Sequence, residues 1–400
     1  MIPTASARRW NFRVTAYLLT MACCNIWMLV KAEPKLREGY QDFVIYYGAG
    51  KDLREGRAEK LYDIADEYRT QLTFAANVPI RHFALPYNHP PFEAVLFAPF
   101  ARLGFWPAYL VWTALNASML AAMAICLRRY PTIKSIPPLL MVAAMLSYFP
   151  LINGLLQGQD VILLTFLAVM ALMCLERNAE IMAGACLGAC LFRPHLAVPL
   201  VLLLAVRRWR VMLGFIPVAV AVFGVSAAVS GWGWPAVYLR FVMSVEKMRV
   251  GNFGAHVVPN LRGILGTALR HFPKPVAGAA IAVASIAVFA AAARRIRYGQ
   301  DSLVYIFCLA SATTILVCFH ALSYDLLLLL PIVFFLLGSA LVERGGGFGL
   351  DRAFFLFVFF LTPFYIYLNS VAGQFFWFGF LVLWMYVRLL ATRAPVVEPA

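Results

Sequence analysis

The feature that most constrains this chain is the repetition of long apolar runs along nearly its whole length. Runs of about 17 to 25 apolar residues cross a hydrocarbon core as helices, because lipid-exposed backbone must satisfy its own hydrogen bonds. Barrel strands would instead alternate in polarity. With 62% hydrophobic and 13% charged residues, the chain cannot coat a soluble globule of its size. We therefore predict an all-α polytopic membrane protein of about ten to twelve transmembrane helices, forming one domain over residues 1–400.

The basic residues, which give a net charge of +15, lie in short clusters between apolar runs rather than along one stripe. This pattern is typical of topology signals and does not favour a nucleic-acid partner. Arg8, Arg9 and Arg13 precede the first run, residues 12–30, and place the N-terminus in the cytoplasm. Two extracytoplasmic loops follow, 33–91 and 231–275, and both termini come out inside a bacterial-type plasma membrane.

Two segments depart from the simple pattern of full spans. In the first loop, apolar residues recur at helical spacing from Ile45 and again from Leu61, which predicts two amphipathic helices along the membrane interface. Region 181–206 contains two apolar pieces of about a dozen residues, each too short to cross the membrane, joined at Arg193 and Pro194. We therefore predict a hairpin of broken helices there.

Polar side chains collect at the outward ends of the predicted spans, and each has two interpretations. Asp42 is either a general base or a helix N-cap. Arg193 either binds a lipid phosphate or pairs structurally with a carboxylate. His320 either works with a nearby carboxylate or is a buried hydrogen-bonding group. Segment 87–91 and the turn at Gln157 and Gln159 are either a substrate rim or ordinary turns.

The eight cysteines lie mostly within apolar runs and form no metal-ligand set with nearby histidines, so we name no metal ligands. A metal requirement stays open at this stage. We expect no cofactor, because at the outer face nucleotide sugars and ATP are absent and a substrate would have to arrive on a lipid.

Several segments together resemble a known family. They are DFVIYYGAG, YNHPPFEAVLFAPFARL, GQD at the start of a span, AGACLGACLFRPHLAVPLVLLL before RRWR, and FHALSYDLLLLLP. In this order they resemble glycosyltransferase family 87, over about residues 42–331. The resemblance implies a GT-C type bundle and a polyprenyl-phosphate sugar donor, with mannose the expected sugar. It also implies catalytic importance for an acid in the first outer loop, matching Asp42, and for a late histidine, matching His320.

The chain departs from the usual family pattern by reading HPP where YPP is common, at His89, and Arg-Pro where Lys-Pro is common, at Arg193. Neither departure removes a proposed catalytic group. The working hypothesis is an inverting transfer of a sugar to a lipid or glycan acceptor, catalysed by Asp42 and His320. The alternative is a transporter or flippase for a lipid-linked saccharide, suggested by the broken hairpin. Donor-phosphate binding is assigned to Arg193, Arg249 and Arg262, and the substrate rim to Tyr87, Asn88, His89, Gln159, His195, Tyr324 and Asp325.

Overall fold

The computed structural model describes residues 5–247, 254–342 and 349–391, which form helices and turns without a strand. Five of these helices are long and apolar enough to cross a membrane, or seven if each of two bent pairs is one span. The protein is therefore an all-α polytopic membrane protein, as predicted. The predicted ten to twelve crossings additionally require most of the five shorter apolar helices to cross.

The helices are numbered in chain order, and the first is longer than the predicted run 12–30. They are α1 (Ala5–Arg37), α2 (Phe43–Arg54), α3 (Ile64–Leu72), α4 (Val78–Arg81), α5 (Pro91–Phe97), α6 (Phe105–Leu127), α7 (Pro131–Lys134), α8 (Pro138–Ser147), α9 (Phe149–Gln157), α10 (Val161–Glu176), α11 (Glu180–Ala189), α12 (Pro194–Ala205), α13 (Val211–Ser230), α14 (Trp234–Lys247), α15 (Leu261–Ala268), α16 (Lys274–Tyr298), α17 (Leu303–Val317), α18 (Leu330–Val342), α19 (Leu350–Phe360), α20 (Thr362–Ile366) and α21 (Trp377–Ala391). Short 3₁₀ turns cover Ala58–Lys60, Phe100–Arg102, Cys190–Phe192, Ala255–Val257 and Ser323–Leu329, and a π-helical turn covers Tyr367–Val371.

Proline determines where several helices begin. The pair α8 and α9 bends by 66°, and the pair formed by α19 with the helical segment after it bends by 67°. In each case a proline, Pro150 or Pro363, lies in the first turn of the second helix. Proline has no N–H to continue the hydrogen bonds of the preceding helix, so the chain changes direction there.

The segment predicted as the first extracytoplasmic loop, residues 33–91, packs more deeply than the sequence predicted. Helix α2 buries Phe43, Val44, Tyr46 and Tyr47, and all four belong to buried hydrophobic clusters with the later helices. Helix α2 is therefore part of the core, and its position along the membrane interface stays a prediction. Its apolar residues occur on almost every side, so they can be buried only by surrounding α2 with other helices.

The broken hairpin predicted over 181–206 is confirmed. Helices α11 and α12 are separated by a 3₁₀ turn that ends at Arg193, and Pro194 begins α12. Glycines hold α11 against α13: a Cβ on Gly184 would lie 1.8 Å from the carbonyl oxygen of Val211, and one on Gly214 would lie 1.8 Å from that of Ile181. Such close backbone packing requires the smallest side chains. The hairpin is thus fixed with Arg193 at its tip.

Candidate active site

Polar side chains that are far apart in sequence meet at one end of the helix bundle. The Asp42 carboxylate precedes α2, Gln159 and Asp160 precede α10, Arg193 lies at the tip of the broken hairpin, and Asp325 lies in the turn before α18. Hydrogen bonds and ion pairs connect all of these groups. The sequence-based expectation that scattered polar groups would converge is met for these residues.

Arg193 is the centre of this network and is only 5% exposed. Its Nε lies 2.6 Å from Oδ1 of Asp160, and its Nη1 lies 2.7 Å from Oδ1 of Asp325. Its Nη2 donates to Oε1 of Gln159. The guanidinium group is therefore paired with two buried carboxylates, which is the structural alternative considered from the sequence. Asp325 also accepts a hydrogen bond from the backbone N–H of Leu322, at 2.7 Å, so it caps its own turn as well.

Asp42 is held from both its backbone and its side chain. The Nε2 of Gln159 donates to Oδ2 of Asp42 at 2.6 Å, and the Oε1 of Gln157 accepts the backbone N–H of Asp42 at 3.0 Å. Although Asp42 occupies the N-cap position of α2, its side chain makes no capping hydrogen bond. Its Oδ1 accepts no hydrogen bond from the described part of the chain, and the residue is half-buried. One carboxylate oxygen thus remains available to a substrate.

The electrostatic environment of Asp42 follows from these contacts. Burial raises the pKa of Asp42, while the hydrogen bond from Gln159 and the charge of Arg193 oppose that rise. A carboxylate that is a stronger base than usual, and whose position is fixed, is suited to accept a proton from a hydroxyl group.

The turn between α9 and α10 has the right shape to reach Asp42 because of one glycine. Gly158 adopts φ +63°, and a Cβ at this position would lie 2.8 Å from the Cβ of Phe43. Both the left-handed backbone and the close approach to α2 disfavour any other residue. Gln157 and Gln159, on either side of this glycine, therefore both face Asp42 rather than forming an ordinary solvent-exposed turn.

The predicted rim segment 87–91 is fixed by tyrosine hydroxyls that donate to its backbone carbonyls. The hydroxyl of Tyr62 donates to the carbonyl of His89 at 2.8 Å, and that of Tyr238 donates to the carbonyl of Asn88 at 3.2 Å. The Tyr87 side chain is itself buried, at 2% exposure, and donates to the carbonyl of Pro90. Tyr87 therefore supports the segment from inside, and His89 also points inward, with its side chain 11% exposed.

His320 lies between α17 and the turn that contains Tyr324 and Asp325. Burial lowers the pKa of His320 to about 3, and the charges of Arg262 and Arg193 act in the same direction. The imidazole is therefore neutral at pH 7. The guanidinium carbon of Arg193 lies 5.4 Å from the centre of the Tyr324 ring. The positive charge of Arg193 acts to lower the pKa of both Asp42 and His320. His195, in the first turn of α12, is half-buried beside them.

An open groove of about 690 Å³ lies next to His320, on the outside of α15 and α16. Val317, Cys318 and Phe319 line it on one side, and three cations, Arg262, Arg270 and Lys274, line it together with apolar residues. The Arg262 guanidinium lies over the Phe319 ring at 4.1 Å. Arg249, the other basic residue assigned to phosphate, lies outside the described residues.

Two members of the network, Tyr46 and Glu93, were not predicted from the sequence. Tyr46 donates to Oε1 of Gln159 at 2.8 Å, and Glu93 is buried with its Oε2 2.7 Å from Nδ1 of His89. A signal for Glu93 was present, because it follows His89 by four residues in an otherwise apolar segment, which places both on one side of a helical turn. No ligands for a metal were named from the sequence, whereas His89, Glu93 and Asp160 come close enough together to hold one.

These features define a helical membrane protein with a buried site, held together by ion pairs and hydrogen bonds, at one end of its bundle. A family model described as glycosyltransferase family 87 matches residues 87–320. The chain belongs to this family and is a glycosyltransferase. The match includes Gln159, Arg193 and Arg262 and ends at His320, but Asp42 lies before it. The searches of curated proteins and of solved structures each gave no match.

Proposed function

We propose that this glycosyltransferase moves a sugar, mannose in the first instance, from a polyprenyl-phosphate donor to a lipid or glycan acceptor. The reaction takes place at the extracytoplasmic face and inverts the anomeric centre. The observation that carries this proposal is the geometry of Asp42, whose Oδ2 is held by Gln159 while Oδ1 is available. The choice of mannose is supported by the family resemblance alone.

The groove beside His320 supports a lipid-borne donor. Apolar residues of α16 and three cations line this groove. Only 6% of the residues in the most apolar stretch of α16 are buried within the protein, so most of this helix is left for contact with lipid. An apolar chain in contact with lipid and an anionic phosphate are the two parts of a polyprenyl-phosphate sugar, and each finds a matching surface here. We therefore assign the phosphate to Arg262, with Arg270 and Lys274 adding positive potential.

The proposed reaction is a single displacement. Oδ1 of Asp42 accepts the proton of the acceptor hydroxyl as its oxygen attacks the anomeric carbon, and the bond from that carbon to the phosphate oxygen breaks. The leaving polyprenyl phosphate carries the negative charge, which the groove cations stabilise. His320 is neutral, so it orients a substrate by hydrogen bonding rather than by charge. Arg193 acts as a positioning residue, because it holds Gln159, and Gln159 holds Asp42.

A flippase for a lipid-linked saccharide was the alternative considered from the sequence. Such a protein would expose its site to each side of the membrane in turn. Family membership favours the enzyme. Labelling of cysteines introduced beside His320 distinguishes the two functions, since an enzyme exposes this region from one side only.

The experiment that tests the proposal uses membranes containing the protein and radiolabelled donors. Transfer of label to lipid or glycan is expected from polyprenyl-phosphate mannose and not from a nucleotide-linked mannose. The Asp42→Asn variant should lose this transfer, and Asp63→Asn, an exposed acid that caps α3 in the same loop, should keep it. Transfer from the nucleotide sugar, or equal activity in both variants, would contradict the proposal.

A further inference from the structure

A second cluster adjoins Arg193 through Asp160 and consists of His89, Glu93 and Asp160. Each offers one ligand atom, and these three atoms all lie within 4.8 Å of one another. Nδ1 of His89 is 2.7 Å from Oε2 of Glu93 and 3.7 Å from Oδ2 of Asp160. Ligand atoms on neighbouring positions of one ion, with bonds of about 2.1 Å, are separated by about 3 Å. The cluster is thus close to the spacing that an ion requires.

Four polar atoms of this cluster have no hydrogen-bond partner in the described part of the chain. Nδ1 of His89, both carboxylate oxygens of Glu93 and Oδ2 of Asp160 are buried and make no hydrogen bond within the described residues. The side chains are 11%, 0% and 0% exposed, respectively. Buried polar atoms are normally satisfied, and several unsatisfied atoms that point at each other indicate a missing partner. A cation would interact favourably with these unpaired atoms, which belong to three side chains.

The surroundings prepare these groups as ligands. The backbone of Phe192 interacts with the His89 ring, while Nδ1 of that ring lacks a hydrogen-bond partner in the described residues and lies 2.7 Å from Oε2 of Glu93. Histidines that bind metals commonly donate their second nitrogen to a carbonyl. Asp160 is held similarly, because its Oδ1 is engaged by Arg193 and its Oδ2 is left for the cluster.

The excess of negative charge in the network also favours a bound cation. Four carboxyl groups, Asp42, Glu93, Asp160 and Asp325, are connected through contacts in which Arg193 is the only guanidinium. Burying several carboxylates against one cation is costly unless a further positive charge is present. A divalent ion supplies that charge.

We propose that His89, Glu93 and Asp160 bind a divalent transition-metal ion through one imidazole nitrogen and two carboxylate oxygens. This mixed ligand set suits Mn²⁺ or Zn²⁺, whereas Mg²⁺ and Ca²⁺ prefer oxygen ligands alone. The ion connects the start of α5 to the start of α10 and fixes Asp160 for its contact with Arg193. The proposal concerns binding and does not depend on which sugar is transferred.

The test is equilibrium binding to the full-length purified protein in detergent, after removal of any affinity tag and of bound metal with EDTA. Free Mn²⁺ is followed by electron paramagnetic resonance, and Zn²⁺ by mass spectrometry after dialysis. We expect one ion per chain and a rise in melting temperature on binding. Glu93→Gln should weaken binding by at least about tenfold. Glu67→Gln, a buried acid of the same loop that contacts Tyr87 instead, should bind as the natural protein does.

The same measurements can overturn the proposal. Less than stoichiometric binding of both metals by the natural protein would do so, because it would show that a shared proton, rather than a metal, satisfies the cluster. Equal affinity in the Glu93→Gln and Glu67→Gln proteins would also do so. His89→Gln provides a second ligand variant with the same expected loss of affinity if Glu93→Gln does not fold.

Discussion

Replacing Arg193 with methionine tests the charge network that organises the site. Methionine fills much of the same volume but removes the donors to Asp160, Asp325 and Gln159. Two buried carboxylates would then lose their guanidinium partner. Removal of one partner from a buried ion pair typically costs about 3–5 kcal/mol, out of a total stability of about 5–15 kcal/mol. We therefore expect Arg193→Met to lower the free energy of unfolding by about 3–5 kcal/mol.

A matched control is available on the opposite end of the hairpin. Arg208 also pairs with a carboxylate, lying 3.1 Å from Glu180, but its side chain is 32% exposed. Exposed pairs contribute about 0–1 kcal/mol, so Arg208→Met should have little effect. Thermal unfolding of the purified proteins, followed by tryptophan fluorescence, should show a shift for Arg193→Met at least roughly three times that for Arg208→Met. Adding Asp325→Asn should recover part of the loss, because one unpaired carboxylate is removed.

Equal shifts for Arg193→Met and Arg208→Met would refute this reasoning. They would show that the carboxylates around Arg193 are neutralised by protons rather than by its guanidinium. The absence of any recovery with Asp325→Asn would show that these two groups are not coupled.

Three further predictions concern the turn and the groove. Gln159→Leu removes a hydrogen bond that opposes the raised pKa of Asp42, so the acid limb of the pH–rate profile should move to higher pH; an unchanged limb would contradict this. Gly158→Ala should destabilise the protein by about 1–3 kcal/mol in thermal unfolding, whereas Gly233→Ala, in open space, should not; equal effects would refute the strain argument. Arg262→Gln should raise the KM for the donor and also lower kcat, because Arg262 is proposed to bind the donor phosphate and to stabilise the charge that develops on it, and Arg240→Gln in the same loop should change neither.

Parts of the fold are predictable because their signals are local. Two apolar pieces joined at Arg193 and Pro194 are too short to span the membrane, and the structure breaks the helix there. The gathering of polar residues at the outward ends of predicted spans likewise follows from hydropathy alone. The structure brings Asp42, Gln159 and Asp325 together at one end of the bundle through Arg193, as that pattern indicated.

Other parts depend on contacts that leave no local trace. Arg193 pairs with Asp325 across 132 positions, and nothing in the sequence selects that acid over others. The four-residue repeat of Ile45, Ala49 and Leu53 indicated an amphipathic helix along the membrane interface. The structure also buries Phe43 and Tyr46 of the same helix, because the surrounding helices cover it on almost every side. Burial of this kind is a property of the assembled bundle.

The account depends most directly on Asp42 as the base in glycosyl transfer. The decisive measurement is the single-turnover rate of the Asp42→Asn protein at saturating donor, together with the donor dissociation constant of the same preparation. We expect the rate to fall by about 10²- to 10⁴-fold, as for loss of a general base, while donor affinity changes by less than about threefold. A rate close to that of the natural protein would contradict the account.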